Sequence, residues 1–385
     1  MPFSILHFAD LHLDAAFTGS RLPAPLARRC REQLRQTLRR LVDLAKARGA
    51  DAVTVAGDLF EHTRLSPDTA AFLAGEFARL APIPVFIAPG NHDAADAGSF
   101  YQRGRWPENV NIFISNRLTE RPLAKNLSIW SAGHLSPSER QNFLQNFQLP
   151  APTGSPRFPI LLLHATLLSF SFTNSSNHAP LTLEDIQRAG FPLALLGHYH
   201  TPQIARADNT VAIYPGSPEP LGFDEPGQHG VAWIQLETNQ PPAIEMIPLA
   251  ELRFETIDIA VDDCAHRDQL FDKIIALKND RDFSKDFVRL RLIGQAQPSL
   301  FLDLPVITQR VQSHFAFVRI ENLTRPSDDL QQLAQEPTVR GAFVREMMAA
   351  SEREGANTEA QSQQRYMEAL IYGLQAFNQE EIALR

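Results

Sequence analysis

Apolar runs of strand length alternate with amphipathic segments in the first part of the chain. Residues 4–9 and 51–56 are such runs, and they predict two buried β-strands. The segment between them is amphipathic, and its apolar positions recur at the spacing of a helix: Leu34, Leu38, Leu41 and Ala45. A second helix over 67–80 and a third strand over 84–88 follow. The pattern therefore predicts repeated strand–helix–strand units and an α/β fold.

Between about 110 and 250 the chain is strand-rich, and proline and glycine separate many of the apolar runs. The predicted strands are residues 127–132, 160–163, 193–196, 211–214, 231–236 and 243–247. Residues 136–147 and 183–189 predict helices. Two sheets packed face to face, with helices outside, would bury all of these elements, so we expect a four-layered body over residues 1–250.

The pattern of predicted strands and helices changes after residue 250. Strands over 254–260, 287–293 and 315–320 alternate with helices over 266–278 and 306–314, which predicts a small separate α/β domain over 251–326. The segment 327–385 is polar and helical, with predicted helices over 339–350 and 363–377 and a loop between them. Its apolar stripe would pack either on the protein's own body or on a partner helix.

Five segments place metal-binding residue types at the ends of predicted strands. They are Asp10 with His12, Gly57-Asp58, Gly90-Asn91-His92-Asp93, His164, and Gly197-His198-Tyr199-His200. Each segment alone is compatible with ordinary hydrogen-bonding roles, but a sheet would bring all five to one edge. Imidazole nitrogens and carboxylate oxygens without thiolate suit manganese, iron or zinc better than calcium. The set therefore predicts a two-metal site for phosphate ester hydrolysis, in which a carboxylate such as that of Asp58 bridges the cations.

Charge and cysteine content narrow the class of protein. The formal net charge of −8 argues against a global basic surface that wraps nucleic acid, although it allows a local positive site. The two cysteines, Cys30 and Cys264, match no disulfide or zinc pattern, which favours a reducing, cytoplasmic setting. No signal peptide and no membrane-spanning run is predicted, so we expect no membrane association.

The ordered set of segments resembles the calcineurin-like metallophosphoesterase superfamily, whose fold is an α/β/β/α sandwich. Three stretches resemble the SbcD-type double-strand-break repair nucleases in particular. They are Ala9-Asp10-Leu11-His12-Leu13, Gly57-Asp58-Leu59-Phe60 and Tyr214-Pro215-Gly216-Ser217. The resemblance is strongest over residues 3–236, and it implies a metallophosphoesterase sandwich with a smaller α/β capping domain that contacts DNA and a helical C-terminal tail.

The resemblance also implies a role for each site residue. It places Asp10, His12 and His200 on a first divalent metal ion, and Asn91, His164 and His198 on a second, with Asp58 bridging. Manganese is the expected metal, with iron or zinc as alternatives. A metal-activated water would attack phosphorus, and His92 would protonate the leaving oxygen as the general acid. Glu61 stands where related enzymes often have Asp or His, and we hypothesise that it pairs with His92 and raises its pKa.

These implications lead to one main function and two alternatives. The main prediction is a DNA exonuclease, or also an endonuclease, in DNA repair, whose partner would be a coiled-coil SMC-like ATPase subunit. A small-molecule phosphodiesterase or phosphatase on the same scaffold is the first alternative. The second is a mainly structural subunit of an ATPase–nuclease complex. The sequence leaves a homodimer open.

Overall fold

The chain divides into two units, Met1–Phe254 and Glu255–Arg385. The structure is a computed structural model, and it describes residues 2–150, 158–170, 177–237, 240–277, 281–297, 300, 302–326, 330–355, 369–370, 372–374 and 376–377. The sequence predicts the first boundary at residue 250. A further boundary after residue 326 stays a prediction.

The first unit contains two six-stranded sheets. The first sheet is built from β1 (Phe3–Phe8), β2 (Ala52–Val55), β3 (Val85–Ile87), β4 (Val110–Ile112), β11 (Gly230–Leu236) and β12 (Ala243–Pro248), in the order β12-β11-β1-β2-β3-β4. The second is built from β5 (Thr119–Ala124), β6 (Leu127–Ser131), β7 (Phe158–His164), β8 (Leu193–Gly197), β9 (Gln203–Ala207) and β10 (Thr210–Tyr214), in the order β5-β6-β7-β8-β10-β9. Its helices are α1 (Ala24–Ala47), α2 (Pro67–Ala78), α3 (Phe100–Arg103) and α4 (Leu183–Ala189).

One apolar cluster joins the facing sides of the two sheets. It includes Ile5 and Phe86 from the first sheet and Ile160 and Leu195 from the second, each at most 3% exposed. The other face of the second sheet packs against α4. The predicted stripe on α1 is buried as expected, and α1 contacts α2. The first unit is therefore a metallophosphoesterase-type α/β/β/α sandwich, as the sequence predicts.

Parallel pairing brings the carboxyl ends of successive strands to one edge. β1, β2 and β3 are parallel neighbours in the first sheet, as are β7 and β8 in the second. The pairing of β1 with β2 continues into the loops that follow, because the N–H groups of Asp10 and His12 donate to the carbonyls of Gly57 and Asp58. Residues that follow these strands are thus held together by backbone hydrogen bonds.

The predicted helix over 136–147 is wrong, because this segment forms turns. Phe143 and Leu144 are buried, as the helical spacing required. The side chains of Asn142 and Glu139, however, accept hydrogen bonds from the N–H groups of Leu144 and Gln141. Such local side-chain bonds compete with the helical ladder.

The second unit contains a three-stranded sheet of order β13-β14-β16, formed by β13 (Phe254–Ala260), β14 (Phe287–Ile293) and β16 (Phe317–Asn322). A separate two-stranded sheet pairs β15 (Gln295–Ala296) with β17 (Arg325–Pro326). The helices of this unit are α5 (Arg267–Ala276), α6 (Leu304–Val311), α7 (Leu330–Gln335) and α8 (Val339–Gly355). One apolar core joins α5 and α6 to the sheet, as the alternating pattern predicts.

The C-terminal helices have a small apolar cluster of their own. Leu333 and Val344 pack there with Leu370 and Leu374. α8 runs five residues beyond its predicted end at residue 350, into the stretch that the sequence assigns to a loop. Most of the helix predicted over 363–377 lies outside the described residues. No helix in the described ranges is long and apolar enough to cross a membrane.

Candidate metal centre

Every segment predicted to hold a metal lies at the carboxyl end of a strand. Asp10 and His12 follow β1, Asp58 follows β2, and Asn91 follows β3 on the first sheet. His164 ends β7, and His198 and His200 follow β8 on the second sheet. The two sheets therefore contribute side chains to one edge of the sandwich.

The backbone is strained where these side chains turn inward. Asp10, His12, Asp58 and His198 have φ values of 56°, 49°, 50° and 111°, in the left-handed region that residues with a Cβ rarely occupy. Such strain costs on the order of 1–3 kcal/mol per residue and concentrates at functional sites. The hydrogen bonds between neighbouring loops hold this conformation in place.

Gly90 makes the close approach between two of these loops possible. A Cβ on Gly90 would collide with the Asp58 carboxylate and would lie 2.9 Å from Cγ of His164. Gly57, at φ 80°, is equally confined, because its Cβ would lie 2.6 Å from Nδ1 of His164. These glycines let the backbone of one loop pack directly against the ligand side chains of the others.

A first cluster consists of Asp10, His12 and His200. In it, the Nε2 atoms of the two imidazoles face each other. Nδ1 of His12 is 2.8 Å from a Glu61 oxygen, and Nδ1 of His200 is 2.6 Å from a Glu225 oxygen. When each Nδ1 donates to its carboxylate, the two Nε2 atoms are left as acceptors only 3.3 Å apart. Asp10 completes this group. Facing acceptors need a cation or a shared proton between them, and a metal ion competes with that proton.

A second cluster, formed by Asn91, His164 and His198, brings hydrogen-bond acceptors together in the same way. Nδ1 of His164 is 2.9 Å from the carbonyl oxygen of Ala56. Its Nε2 then faces Oδ1 of Asn91 at 2.9 Å and an Asp58 oxygen at 3.4 Å. The ring of His198 lies edge-on to that of His164, with centroids 5.1 Å apart. Asp58 is also 3.7 Å from Nε2 of His12, so it lies between the two clusters.

The buried carboxylates at this edge of the sandwich need positive charge nearby. Asp10 and Asp58 are at most 2% exposed, and within the described ranges no lysine or arginine pairs with either carboxylate. Burial raises the pKa of Asp10 to about 8. Burial would also raise the pKa of Asp58, but His164 and His12 hold it below its usual range. Buried carboxylates beside imidazole nitrogens that can act as acceptors fit divalent cations, which compensate the carboxylate charge. The residues present therefore suit two such ions.

Glu61 joins His92 to the first cluster. One of its oxygens is 3.0 Å from Nδ1 of His92, and the other is bonded to His12. The hydrogen bond with Glu61 raises the pKa of His92 to about 9. Burial opposes ionisation of Glu61, yet its bonds with the two histidines lower its pKa to about 2. The hypothesised pairing of Glu61 with His92 is thus present, whereas its second bond to His12 was not foreseen.

Asp93 holds the two loops that follow β2 and β3 by hydrogen bonds to their backbone. Its carboxylate accepts hydrogen bonds from the N–H groups of Asp58, Leu59 and Gly90 and from the hydroxyl of Tyr101. It is fully buried, and burial raises its pKa to about 7. Asp93 therefore orients the segments that follow β2 and β3.

Sequence reasoning missed Glu225 and the network around it. Besides His200, Glu225 accepts hydrogen bonds from the hydroxyl of Ser217 and the N–H of Leu221. Ser217 in turn donates its backbone N–H to the carbonyl of His200. His134, for which the sequence indicates no partner, lies 2.7 Å through Nε2 from the carbonyl of His164. Glu225 does not directly follow a strand, because β10 ends at Tyr214, so its spacing alone gives no signal.

This fold and this convergence of buried acceptors define a metal-dependent hydrolase of phosphate esters. The family model for calcineurin-like phosphoesterases matches residues 3–202, and the chain belongs to that family. A relative, the uncharacterized metallophosphoesterase YhaO of Bacillus subtilis (strain 168), is 30% identical over 314 residues, which cover 78% of this chain and 74% of the relative.

Two solved structures were also found to be similar. A dimetal phosphatase from Danio rerio is 14% identical and covers 61% of this chain and 93% of its own, with a TM-score of 0.37. The protein TT1561 of Thermus thermophilus is 16% identical and covers 64% of this chain and 99% of its own, with a TM-score of 0.36.

Proposed function

We propose that the chain is a two-metal DNA phosphodiesterase of the SbcD type, an exonuclease or endonuclease in DNA repair. The observation that supports this most directly is the pair of acceptor clusters joined by Asp58, with the half-exposed His92 beside them. In this proposal Asp10, His12 and His200 hold one cation, and Asn91, His164 and His198 the other. Manganese is the proposed metal.

The residues of the chain divide the chemistry between them. Two divalent cations held by these ligands would supply positive charge against the phosphate and lower the pKa of a water molecule. Glu61 occupies Nδ1 of His92, so the nitrogen left to meet substrate is Nε2. Since the pKa of His92 is raised to about 9, the imidazole is protonated at neutral pH. When the bond from phosphorus to the leaving oxygen breaks, Nε2 donates its proton to that oxygen.

The proposal of a DNA substrate rests on two further observations. First, the stretches Gly57-Asp58-Leu59-Phe60 and Tyr214-Pro215-Gly216-Ser217 resemble the corresponding stretches of repair nucleases. In the structure the second stretch supports the site, since Gly216 packs against the His200 carbonyl and the Tyr214 hydroxyl donates to the carbonyl of Ala165. The second unit is the other observation, because a small phosphate ester needs no additional domain to position it. We propose that residues 251–326 contact and orient DNA.

The substrate proposal is tested on the manganese-loaded full chain with linear duplex DNA and, in parallel, a chromogenic phosphodiester. We expect both to be hydrolysed, and we expect the Asp58→Asn variant to hydrolyse neither. Hydrolysis of the ester without any cleavage of DNA, alone or with an ATPase partner, would overturn the DNA substrate and leave a small-molecule phosphodiesterase or phosphatase.

We also propose that a coiled-coil SMC-like ATPase docks on the helices of residues 327–385, and that the protein acts in the cytoplasm. The exposed Val339 on α8 supports docking, since it leaves an apolar side chain without cover in this unit. A truncation before residue 327 should lose the partner, whereas Asp58→Asn and His92→Asn should lose only hydrolysis. If cells needed residues 327–385 but not the hydrolytic activity, the protein would be mainly a structural subunit.

The sequence leaves a homodimer open, and a measurement of the molar mass in solution would detect it.

A further inference from the structure

A pocket of about 330 Å³ opens beside His92. Its lining includes the loop of residues 15–20 and the residues Leu221, Gly222, Asp224 and Glu225 of a second loop. The remaining lining residues are Glu61, Arg64 and His92. We call this the leaving-group pocket. Its volume is at the lower end of the range of about 300–1,000 Å³ for small-molecule sites, and so suits one nucleoside rather than a long segment.

Hydrogen bonds fix the walls of the leaving-group pocket. The hydroxyl of Ser20 donates to the carbonyl of Leu221 at 3.1 Å and ties the two loops together. The carboxylate of Asp14 accepts hydrogen bonds from the N–H of Ser66 and the hydroxyl of Thr69, both at 3.0 Å. The loop that begins at Asp14 is therefore anchored to the start of α2. A pocket built in this way is preformed, and binding does not have to order its walls.

The charged groups of the pocket are unequal in their availability. Glu61 and Glu225 are already bonded to His92, His12 and His200. The carboxylate of Asp224 also lines the pocket and is exposed. Arg64 is likewise exposed, and it pairs with no acid among the residues that the structure describes. Its backbone N–H donates to the carbonyl of Glu61, and its side chain lines the pocket together with Glu61 and His92. Among these charged groups Arg64 is the available cation, and it lines the same pocket as His92.

We propose that this pocket binds the leaving group and that Arg64 binds a second phosphate carried by it. The inference rests on the proposed function, in which His92 protonates the leaving oxygen. That oxygen must reach His92, so the group attached to it lies on the side where His92 lines the pocket. The small and apolar residues of the lining, such as Ala15, Ala16 and Leu221, leave room for a nucleoside. A planar guanidinium binds phosphate through paired hydrogen bonds. The preferred substrate is a phosphodiester whose leaving group bears another phosphate.

The test compares two dinucleotides on the manganese-loaded full chain. Dithymidine monophosphate (TpT) has one phosphodiester and no other phosphate, whereas pTpTp has the same bond and a phosphate at each end. Cleavage of the central bond is followed by chromatography. We expect KM for pTpTp to be about tenfold lower than for TpT, which corresponds to about 1.4 kcal/mol and to one charged hydrogen-bonded contact. The Arg64→Gln variant should lose this preference, and the control variant Arg206→Gln, at an exposed position of β9, should keep it.

The outcomes separate this inference from the proposed function. If the unaltered protein cleaves both compounds with equal KM, or if Arg64→Gln keeps the preference, the inference is overturned alone. If neither compound is cleaved by protein that cleaves duplex DNA, the inference is overturned while the proposed function stands. If duplex DNA is not cleaved either, alone or with an ATPase partner, the proposed function is overturned and the inference with it. A single-stranded oligonucleotide then distinguishes the source of the second phosphate. A KM no lower than that for pTpTp would indicate a small nucleotide substrate, and a much lower one would indicate a polymer.

Discussion

The carboxylate of Glu61 accepts a hydrogen bond from Nδ1 of His92 at 3.0 Å. Its other oxygen is bonded to Nδ1 of His12 at 2.8 Å. One side chain therefore fixes both the proposed proton donor and a proposed metal ligand. The two roles can be separated, because only His92 would act on the leaving group and only His12 would hold a metal ion.

The His92→Asn variant should depend strongly on the leaving group. A positioned general acid contributes about 10²–10⁴-fold to the rate when the leaving group is a poor one. We expect kcat for TpT to fall by that factor, and kcat for bis(p-nitrophenyl) phosphate to fall far less, because p-nitrophenolate leaves without a proton. Steady-state kinetics on the two esters provides the measurement. An equal loss on both would show that His92 does not act as the acid.

The Glu61→Gln variant should weaken metal binding as well as turnover. A carboxylate that orients a ligating histidine is typically worth about 10–100-fold in metal affinity, and we expect a loss of about that size in manganese affinity. Titration calorimetry of the metal-free protein measures it. His92→Asn is the matched comparison, since it leaves the Glu61–His12 bond in place and should retain the affinity. Unchanged manganese affinity in Glu61→Gln would exclude a role for Glu61 in holding the metal centre.

Glu225 should be equally important on the opposite side of the first cluster. It holds Nδ1 of His200 at 2.6 Å, as Glu61 holds His12. We therefore expect Glu225→Gln to lose about 10–100-fold in manganese affinity. Glu237, an exposed residue just after β11, offers a matched control, and Glu237→Gln should bind manganese normally. If the two variants bound manganese alike, the Glu225–His200 bond would be structural only.

The difference between Asp58 and Glu225 shows what the sequence can predict about such a site. Asp58 directly follows an apolar run, and parallel strands end at one edge, so its place in the site follows from the pattern. Glu225 lies in a loop that is held at His200 by several hydrogen bonds, among them the one from the backbone N–H of Ser217 to the carbonyl of His200. No periodicity encodes a contact of this kind, since it depends on how two loops pack.

The segment 136–147 shows a second limit. Phe143 and Leu144 are buried where an amphipathic helix would bury them, so the apolar pattern correctly predicts burial. The backbone nevertheless forms turns, because the side-chain carbonyl oxygen of Asn142 and the carboxylate of Glu139 hold nearby N–H groups. Spacing predicts which residues are inside more reliably than it predicts the backbone conformation that places them there.

His7 provides a prediction about stability and pH. It is fully buried in β1, with Nδ1 3.0 Å from the hydroxyl of Thr54 on β2 and Nε2 3.3 Å from the carbonyl of Leu196 on β8, so it links the two sheets. Burial lowers its pKa from 6.5 to about 4. The folded state thus binds a proton less readily than the unfolded state. The stability from neutral His7 is fully present above pH 6.5 and is lost as the pH falls towards 4, by about 3 kcal/mol in total.

The His7→Gln variant should therefore be less stable near pH 7.5 and lose less stability on acidification. Urea unfolding of the metal-free protein between pH 7.5 and 4.5 measures this, and tryptophan fluorescence reports on the first unit, since Trp106, Trp130 and Trp233 all lie there. Chelator keeps the titration of the metal ligands the same in both proteins, so the difference in slope isolates His7. Parallel curves for the two proteins would mean that His7 keeps an ordinary pKa in the folded state.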